Sequence, residues 1–123
     1  MRVPIETDEL GLVEECSWDL VPVIHPDSTK HLDVDGLPRE GTVLRPGMIL
    51  VGKLGKTAAY ATSRKPTALE LQGMEFEQLR DQFGHLWVDR CAYVPPGMAG
   101  RVVSAECQKN ADGSEVVILT VET

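Results

Sequence analysis

The chain has 123 residues, a formal net charge of −7, 42% hydrophobic residues and 25% charged residues. These values predict one soluble globular domain, and they exclude the overall basic footprint that is typical of isolated nucleic-acid-binding domains. No apolar run approaches the roughly 18 residues needed to span a bilayer, and the acidic start lacks the apolar core of a signal peptide. We therefore expect a cytoplasmic protein without a membrane partner.

The first third of the chain is acidic and then polar, with few clear elements. Residues 9–18 form a short amphipathic piece. Residues 20–24 are apolar but interrupted by a proline, which favours an extended segment or an edge strand. Residues 25–41 are polar and rich in proline and glycine, with room for one helical turn around residues 28–34.

A turn followed by a strand occurs twice in the sequence. Pro46 and Gly47 predict a turn before an apolar strand over residues 48–54, because proline presets φ at one corner and glycine accepts a positive φ at the next. Residues 94–103 repeat this order. The residues expected to shape these turns are Pro46, Gly47, Gly52, Pro95, Gly97 and Gly100.

The stretch between the two turn-plus-strand units has a different character. Residues 55–66 are small, polar and basic, which predicts a mobile loop, whereas residues 67–89 show helical periodicity. Gly84 should weaken that helix by about 1 kcal/mol relative to alanine. The apolar stripe of the helix comprises Phe76, Leu79, Phe83, Leu86 and Trp87. Two interpretations stay open: the stripe packs on the protein's own sheet, or it projects and docks a partner.

The last third of the chain is predicted to be β. Strand patterns cover residues 91–94, 100–107 and 116–121, and an Asp-Gly pair at Gly113 marks a hairpin loop between the last two. The residues therefore predict a β platform that carries a helical arm.

Few residues point to chemistry. Cys16, Cys91 and Cys107 are widely spaced and odd in number, which indicates free thiols. A Gly-Lys-Thr tripeptide lacks the upstream glycine of a phosphate-binding loop. A weaker hypothesis is a small metal-dependent enzyme built on His25, His31 and the nearby aspartates.

Several ordered segments resemble the flap domain of the bacterial RNA polymerase β subunit. Residues 10–15 (LGLVEE) and 20–23 (LVPV) are similar to its Leu-Gly-x-x-Glu-Glu stretch and the Ile-Pro-Asn-Val that follows. Residues 31–36 (HLDVDG) resemble Asn-Leu-Asp-x-x-Gly. Residues 41–53 (GTVLRPGMILVGK) are similar, at the same spacing, to Gly-x-x-Val-Lys-Pro-Gly-Asp-Ile-Leu-Val-Gly-Lys.

Two further matches lie in the arm and directly after it. Residues 78–84 (QLRDQFG) resemble the Leu-Leu-Arg-Ala-Ile-Phe-Gly of the flap-tip helix. Residues 94–102 (VPPGMAGRV) resemble the return strand, Val-Pro-x-Gly-x-x-Gly-x-Val. The resemblance covers nearly the whole chain, from about residue 9 to residue 122.

This resemblance implies a fold and a domain layout. It implies a single flap-like domain over residues 1–123, mainly β, with a sandwich-barrel hybrid architecture and one projecting tip helix. The β platform would cover about residues 20–54 and 90–122, and the flexible loop and tip helix would cover about residues 55–89.

The resemblance also implies a function. In that family the flap covers the RNA exit channel, and its tip helix binds region 4 of the σ factor and serves elongation and termination factors. The remaining polymerase subunits and nearby nascent RNA would be further partners. The segment would hold no catalytic residue, metal ligand or cofactor, although its parent would be a nucleotidyltransferase. The implied partner-binding residues are Phe76, Leu79, Arg80, Phe83, Leu86 and Trp87.

Three positions depart from the family pattern. Gln78 and Gln82 stand where the tip helix of the family is apolar, and Met48 replaces an aspartate at the strand entry. Losing two buried aliphatic contacts weakens σ binding unless other apolar residues replace them. The alternative function is a free-standing β-barrel interaction module that uses the same helix for another partner.

Overall fold

The computed structural model describes all 123 residues and contains nine strands, three short α-helices and two 3-10 turns. The strands are β1 (Arg2–Ile5), β2 (Glu15–Cys16), β3 (Val43–Leu44), β4 (Ile49–Val51), β5 (Lys53–Lys56), β6 (Trp87–Asp89), β7 (Ala92–Tyr93), β8 (Gly100–Lys109) and β9 (Glu115–Glu122). The helices are α1 (Ala58–Thr62), α2 (Ala68–Gly73) and α3 (Phe76–Phe83), and the 3-10 turns are Pro26–Thr29 and Gly84–Leu86. The predicted mainly β fold is confirmed. None of the helices has the length and apolar content that crossing a membrane requires.

The largest sheet is antiparallel, with the strand order β1-β9-β8-β3. Its centre is the predicted hairpin of β8 and β9, which is confirmed, with Gly113 at a φ of 89° in the connecting loop. Strand β1 pairs along β9, with Arg2 opposite Ile118. Sequence patterning did not predict β1 because Pro4 interrupts it. A proline is tolerated there because β1 is an edge strand.

Two smaller sheets complete the β structure, one with the order β2-β5-β6 and one that pairs β4 with β7. The second brings the two turn-plus-strand units side by side. The Gly47 amide donates to the Val94 carbonyl at 2.9 Å, and the Val94 amide donates to the Met48 carbonyl at 2.8 Å. Gly47 and Gly97 have φ values of 88° and 83°, as their turns require.

Gly52 and Gly100 lie where the surrounding atoms leave no room for a side chain, and neither has a positive φ. A Cβ on Gly52 would lie 2.6 Å from the Ser17 carbonyl oxygen and 2.8 Å from Leu32 Cδ1. A Cβ on Gly100 would lie 2.6 Å from the Glu122 carbonyl oxygen. Neighbouring backbone therefore packs directly against both glycines.

The main hydrophobic core lies inside the β structure. Alternate residues of β1 and β9 point into it, since successive side chains of a strand face opposite sides. Burying each large aliphatic side chain contributes about 1.5–3 kcal/mol. The core residues are Val3, Ile5, Leu37, Leu44, Leu50, Val51, Val94, Val102, Val117 and Leu119.

The predicted mobile loop and single long helix over residues 55–89 are corrected by the structure. The supposed loop contains the end of β5 and the helix α1. The supposed helix divides into α2, α3, a 3-10 turn and β6. Two capping boxes, Thr67 with Glu70 and Glu75 with Gln78, start new helices within the stretch, and Gly84 ends α3. The last residues then pair with β5, which places Trp87 opposite Lys56.

Two predictions near residue 25 are also corrected. Residues 20–24 form a turn and not an extended strand, because the amides of Val23 and Ile24 both donate to the Leu20 carbonyl at 2.9 Å. The predicted helical turn around residues 28–34 is a shorter 3-10 turn, Pro26–Thr29. It starts earlier because Pro26 presets the first φ and His25 Nδ1 accepts the Asp27 amide hydrogen at 3.1 Å.

Candidate functional site

We call residues 57–86 the arm and the rest of the chain the platform. The acidic N-terminal segment holds the root of the arm. Asp8 Oδ2 accepts the Lys56 amide hydrogen at 3.0 Å, and Glu9 Oε2 accepts the Ala58 amide hydrogen at 3.0 Å. The amide of Lys56 also lowers the pKa of the Asp8 carboxyl. Lys56 Nζ lies 2.6 Å from Glu15 Oε1, which raises the pKa of the lysine.

The neck of the arm is closed by one threonine. The Thr57 amide donates to the Leu86 carbonyl at 3.0 Å, and Thr57 Oγ1 donates to the His85 carbonyl at 2.8 Å. These bonds join the first and last residues of the arm, so the arm leaves the platform as a closed loop.

A buried ion cluster lies below the neck. The side chain of Glu14 is 1% exposed, and its two oxygens lie 2.6 Å from Lys53 Nζ and 2.7 Å from Arg90 Nε. The Glu6 amide also donates to Glu14 at 2.9 Å. Burial would raise the pKa of Glu14, but the hydrogen bonds from Lys53, Glu6 and Arg90 outweigh it and lower the pKa. The cluster therefore ties the N-terminal segment to β5 and to the residue after β6.

The predicted partner-binding residues separate into two groups. Leu79, Phe83 and Leu86 form a small cluster and are only 2%, 4% and 0% exposed. Their apolar neighbours come from the platform and from the other parts of the arm. These neighbours are Val21, Ala59, Tyr60, Met74 and Trp87. These three side chains pack within the protein, but among the neighbours that cover them only Trp87 belongs to a strand, so the stripe does not lie on a sheet as the first interpretation expected.

The other three predicted residues remain accessible. Phe76 and Trp87 are half-buried, and Arg80 is exposed. Gln78 has a local role, since its side-chain oxygen accepts the Glu75 amide hydrogen at 3.3 Å and completes a capping box. Gln82 is exposed.

Basic residues surround the aromatic rings of the arm. Lys65 Nζ lies 4.4 Å and Lys56 Nζ 5.2 Å from the centre of the Tyr60 ring. The Arg64 guanidinium lies 5.1 Å from the Phe83 ring. Arg64 also holds Glu70 through two hydrogen bonds of 2.6 and 3.1 Å, and its proximity lowers the pKa of Glu70 to about 2. This arrangement gives the arm a basic, aromatic surface on an acidic protein.

A cleft of about 580 Å³ separates α3 from the platform. Its walls include the turn at Pro46 and Gly47 as well as the exposed face of α3. His25 meets Phe76 edge to face with the ring centres 5.0 Å apart, and the Arg80 guanidinium lies 5.6 Å from the same ring. Sequence reasoning missed this cleft, because the residues lining it are far apart in the chain.

The remaining candidate catalytic or metal-binding residues do not come together in one site. His25, His31 and the nearby aspartates belong to no group of three or more side chains able to hold a metal ion. Instead, His31 Nε2 lies 2.7 Å from the Ile49 carbonyl oxygen. The three cysteines are free thiols, as predicted, and burial raises the pKa of Cys16 to about 11 and that of Cys91 to about 12.

The fold and the site define a class: a mainly β platform with a clamped helical arm. No model of a known protein family matches the chain. Over 105 residues, which is 85% of the chain, it is 32% identical to the DNA-directed RNA polymerase subunit beta of Aquifex aeolicus (strain VF5). Over 108 residues, 80% of the chain, it is 31% identical to the same subunit of Orientia tsutsugamushi (strain Boryong).

The chain matches about 7% of the length of each of these relatives. The predicted resemblance to the β subunit is therefore confirmed, and the chain is related to one segment of that subunit.

Proposed function

We propose that the chain is a non-catalytic flap module of an RNA polymerase β subunit, acting in DNA-templated transcription. It covers the RNA exit channel and docks σ region 4 and elongation or termination factors through its arm. The nucleotidyltransferase activity belongs to the parent enzyme. The observation that carries this proposal is the similarity to the β subunit over 85% of the chain.

The burial of Leu79 and Phe83 adds a condition to σ docking. A partner that uses these side chains must first displace the neighbours that cover them. Helix α1, which contributes Ala59 and Tyr60 to the cover, has five residues, and its N-cap residue Thr57 makes no side-chain cap hydrogen bond. Isolated helices of this length are marginal in water. We infer that a docking partner opens the arm by displacing α1.

Isothermal titration of the chain with σ region 4 tests this proposal. Replacing the exposed Ala61 by glycine lowers helix propensity in α1 by about 1 kcal/mol, which should tighten σ binding by up to about fivefold. Ala99→Gly, an exposed position on the platform, is the matched control and should leave the affinity unchanged. Absence of binding by both the native chain and Ala61→Gly would contradict σ docking and favour the free-standing interaction module. Binding without any effect of Ala61→Gly would reject the displacement of α1.

Nascent RNA is the second proposed partner of the arm. Lys65 lies over the ring of Tyr60, and this pair combines a positive charge with an aromatic face, a combination through which proteins contact the phosphates and stack on the bases of single-stranded nucleic acids. In a reconstituted polymerase, Lys65→Gln should reduce crosslinking of exit-channel RNA to the arm, while Lys109→Gln in the distal hairpin should not. Equal crosslinking in both variants would remove RNA from the list of contacts of this surface.

A further inference from the structure

Helix α1 is capped by a residue that lies outside the arm. In most helices the side chain of the N-cap residue accepts one of the first free amide hydrogens. The hydroxyl of Thr57, the N-cap residue of α1, donates instead to the His85 carbonyl at 2.8 Å and makes no cap hydrogen bond. The amide of Ala58, the first residue of α1, donates to Glu9 Oε2 at 3.0 Å. Glu9 therefore supplies the cap that Thr57 does not provide.

The loop that carries Glu9 is fixed to the root of the arm. We call residues 7–13 the N-terminal loop, and its two ends pair in an antiparallel bridge. Asp8 Oδ1 accepts two amide hydrogens within this loop, at 2.9 and 3.1 Å, while its Oδ2 accepts the Lys56 amide hydrogen at 3.0 Å. A Cβ on Gly55 would lie 3.1 Å from Asp8 Cβ, so the loop packs directly on β5. This packing places Glu9 beside the start of α1.

The position of α1 decides whether the apolar cluster of the arm is covered. Ala59 and Tyr60 of α1 pack against the cluster that contains Leu79 and Phe83. No residue of α1 is itself buried, and a helix of five residues is marginal in water. The order of α1 therefore depends on its few anchors, and a charge-assisted hydrogen bond to Glu9 is a strong one.

We propose that the N-terminal loop makes an autoinhibitory contact with the arm. By capping α1, Glu9 keeps the apolar cluster covered, and release of Glu9 raises the fraction of molecules in which α1 leaves the cluster. The carboxylate is exposed and pairs with no cation of the chain, so a basic group of a partner has direct access to it. This inference deepens the proposed function, and it rests on that function for the identity of the partner that the uncovered cluster binds.

Thiol labelling of a cysteine placed in α1 tests this contact without any partner. Ala59→Cys puts a thiol where α1 packs on the cluster, in a chain whose exposed Cys107 is replaced by serine. Cys16 and Cys91 are half-buried, and the raised pKa of each keeps it poorly reactive. The labelling rate at position 59 follows the fraction of molecules with α1 open when closing is faster than labelling.

In this background Glu9→Ala should speed labelling at position 59 about fivefold, which is the change that loss of a helix cap of ordinary strength produces. Glu9→Gln keeps an oxygen that can accept the Ala58 amide hydrogen, and it should recover most of the protection. Glu40→Ala removes an exposed carboxylate from a turn of the platform and should leave the rate unchanged. Hydrogen exchange in β8 and β9 should be the same in all three variants, because the contact acts on the arm alone.

A second measurement needs no added cysteine. The Ser63 amide donates to the Ala59 carbonyl at 2.9 Å, so its hydrogen exchange also reports the opening of α1. Exchange and labelling that are equally fast in the native chain and in Glu9→Ala would overturn the proposal. Faster labelling accompanied by an equal loss of protection in β8 and β9 would also overturn it, because Glu9 would then support the whole fold.

Titration with σ region 4 tests the proposed function separately. Glu9→Ala should tighten σ binding by up to about fivefold, since less work is needed to displace α1. Faster labelling without any σ binding would support the autoinhibitory contact and reject σ docking. Unchanged labelling would reject the contact whether or not σ binds.

Discussion

The platform and the arm are stabilised in different ways. The platform has a core of ten buried hydrophobic residues and strands paired over long sequence separations. The arm has a core of three, and its helices have five, six and eight residues. Caps, ion pairs and the closed neck order it instead. The arm can therefore rearrange at a lower cost in free energy than the platform.

The largest expected effect lies where the two regions join. Glu14→Gln removes the carboxylate that neutralises Lys53, and it leaves a buried, unpaired ammonium. We expect a loss of about 3–5 kcal/mol in the free energy of unfolding, measured by urea denaturation. Glu15→Gln breaks a partly exposed ion pair with Lys56 and should cost about 1 kcal/mol or less. Equal losses in the two variants would show that the buried cluster contributes no more than a surface pair.

The same buried ion cluster should make the free energy of unfolding depend on pH. Glu14 has a lowered pKa in the folded protein, so its stabilisation is present above the unfolded value of 4.5 and is lost as the pH falls through the folded value. The stability difference between the native chain and Glu14→Gln should therefore shrink below about pH 4.5. A difference that stays constant down to pH 3 would contradict this assignment.

Substitutions that create a cavity in each of the two cores should distinguish the stability of the whole protein from the local stability of the arm. Leu119→Ala in the platform should lower the global free energy of unfolding by about 2–5 kcal/mol. Leu79→Ala removes a similarly buried side chain from the arm, and we expect faster hydrogen exchange in α3 while β8 and β9 stay protected. Loss of protection in β8 and β9 by Leu79→Ala would mean that the arm and the platform unfold as one unit.

Two glycine substitutions should change stability in opposite directions. Gly52→Ala places a Cβ 2.6 Å from a backbone oxygen of the platform and should cost about 1–3 kcal/mol. Gly73 is the last residue of α2, and a Cβ added there would meet no other atom within 4 Å. Gly73→Ala should therefore stabilise the arm by up to about 1 kcal/mol. Thermal unfolding of both variants measures the contrast, which would fail if Gly52→Ala were neutral.

Sequence patterning predicted the features whose causes are local. The β8–β9 hairpin follows from its alternation and its Asp-Gly loop, and the turns at Gly47 and Gly97 follow from their Pro-Gly pairs. The single helix over residues 67–89 was wrong because apolar periodicity continues through two caps and into β6. Whether Trp87 is helical or extended depends on its partner strand, which local periodicity does not include.

The candidate site could not be predicted in full, because it is formed by contacts between residues that are far apart in the sequence. Lys53 lies in the predicted strand over residues 48–54, and its side chain is buried against Glu14, 39 residues earlier in the chain. The stripe of Leu79 and Phe83 was recognised correctly, but its exposure depends on α1, whose small residues were taken for a loop. The polarity of residues 57–62 conceals a helix because alanine supports helices without a strong apolar signal.

The most local effect should come from a helix cap in the arm. Thr67→Ala removes the side-chain oxygen that accepts the Glu70 amide hydrogen, and it should cost α2 about 1 kcal/mol. Faster amide exchange within α2, with α3 unchanged, is the expected measurement. Thr42→Ala is the control, because it removes a threonine hydroxyl that donates to a backbone carbonyl of the platform, that of Arg39 at 2.6 Å, and should leave exchange in α2 unchanged. Exchange that is unaffected in α2 would show that Arg64 and Glu70 alone keep this helix ordered.

The pairing of β1 with β9 has a consequence for how the chain acquires its fold. Arg2 pairs with Ile118, so a strand near residue 2 depends on a strand more than a hundred residues later in the chain. Closing so long a loop is entropically costly, whereas the β8–β9 hairpin closes locally. During synthesis, β1 has no partner strand until β9 has been made. Pairing of β1 therefore follows the synthesis of β8 and β9, and the unpaired strand edges are open to aggregation in the interval.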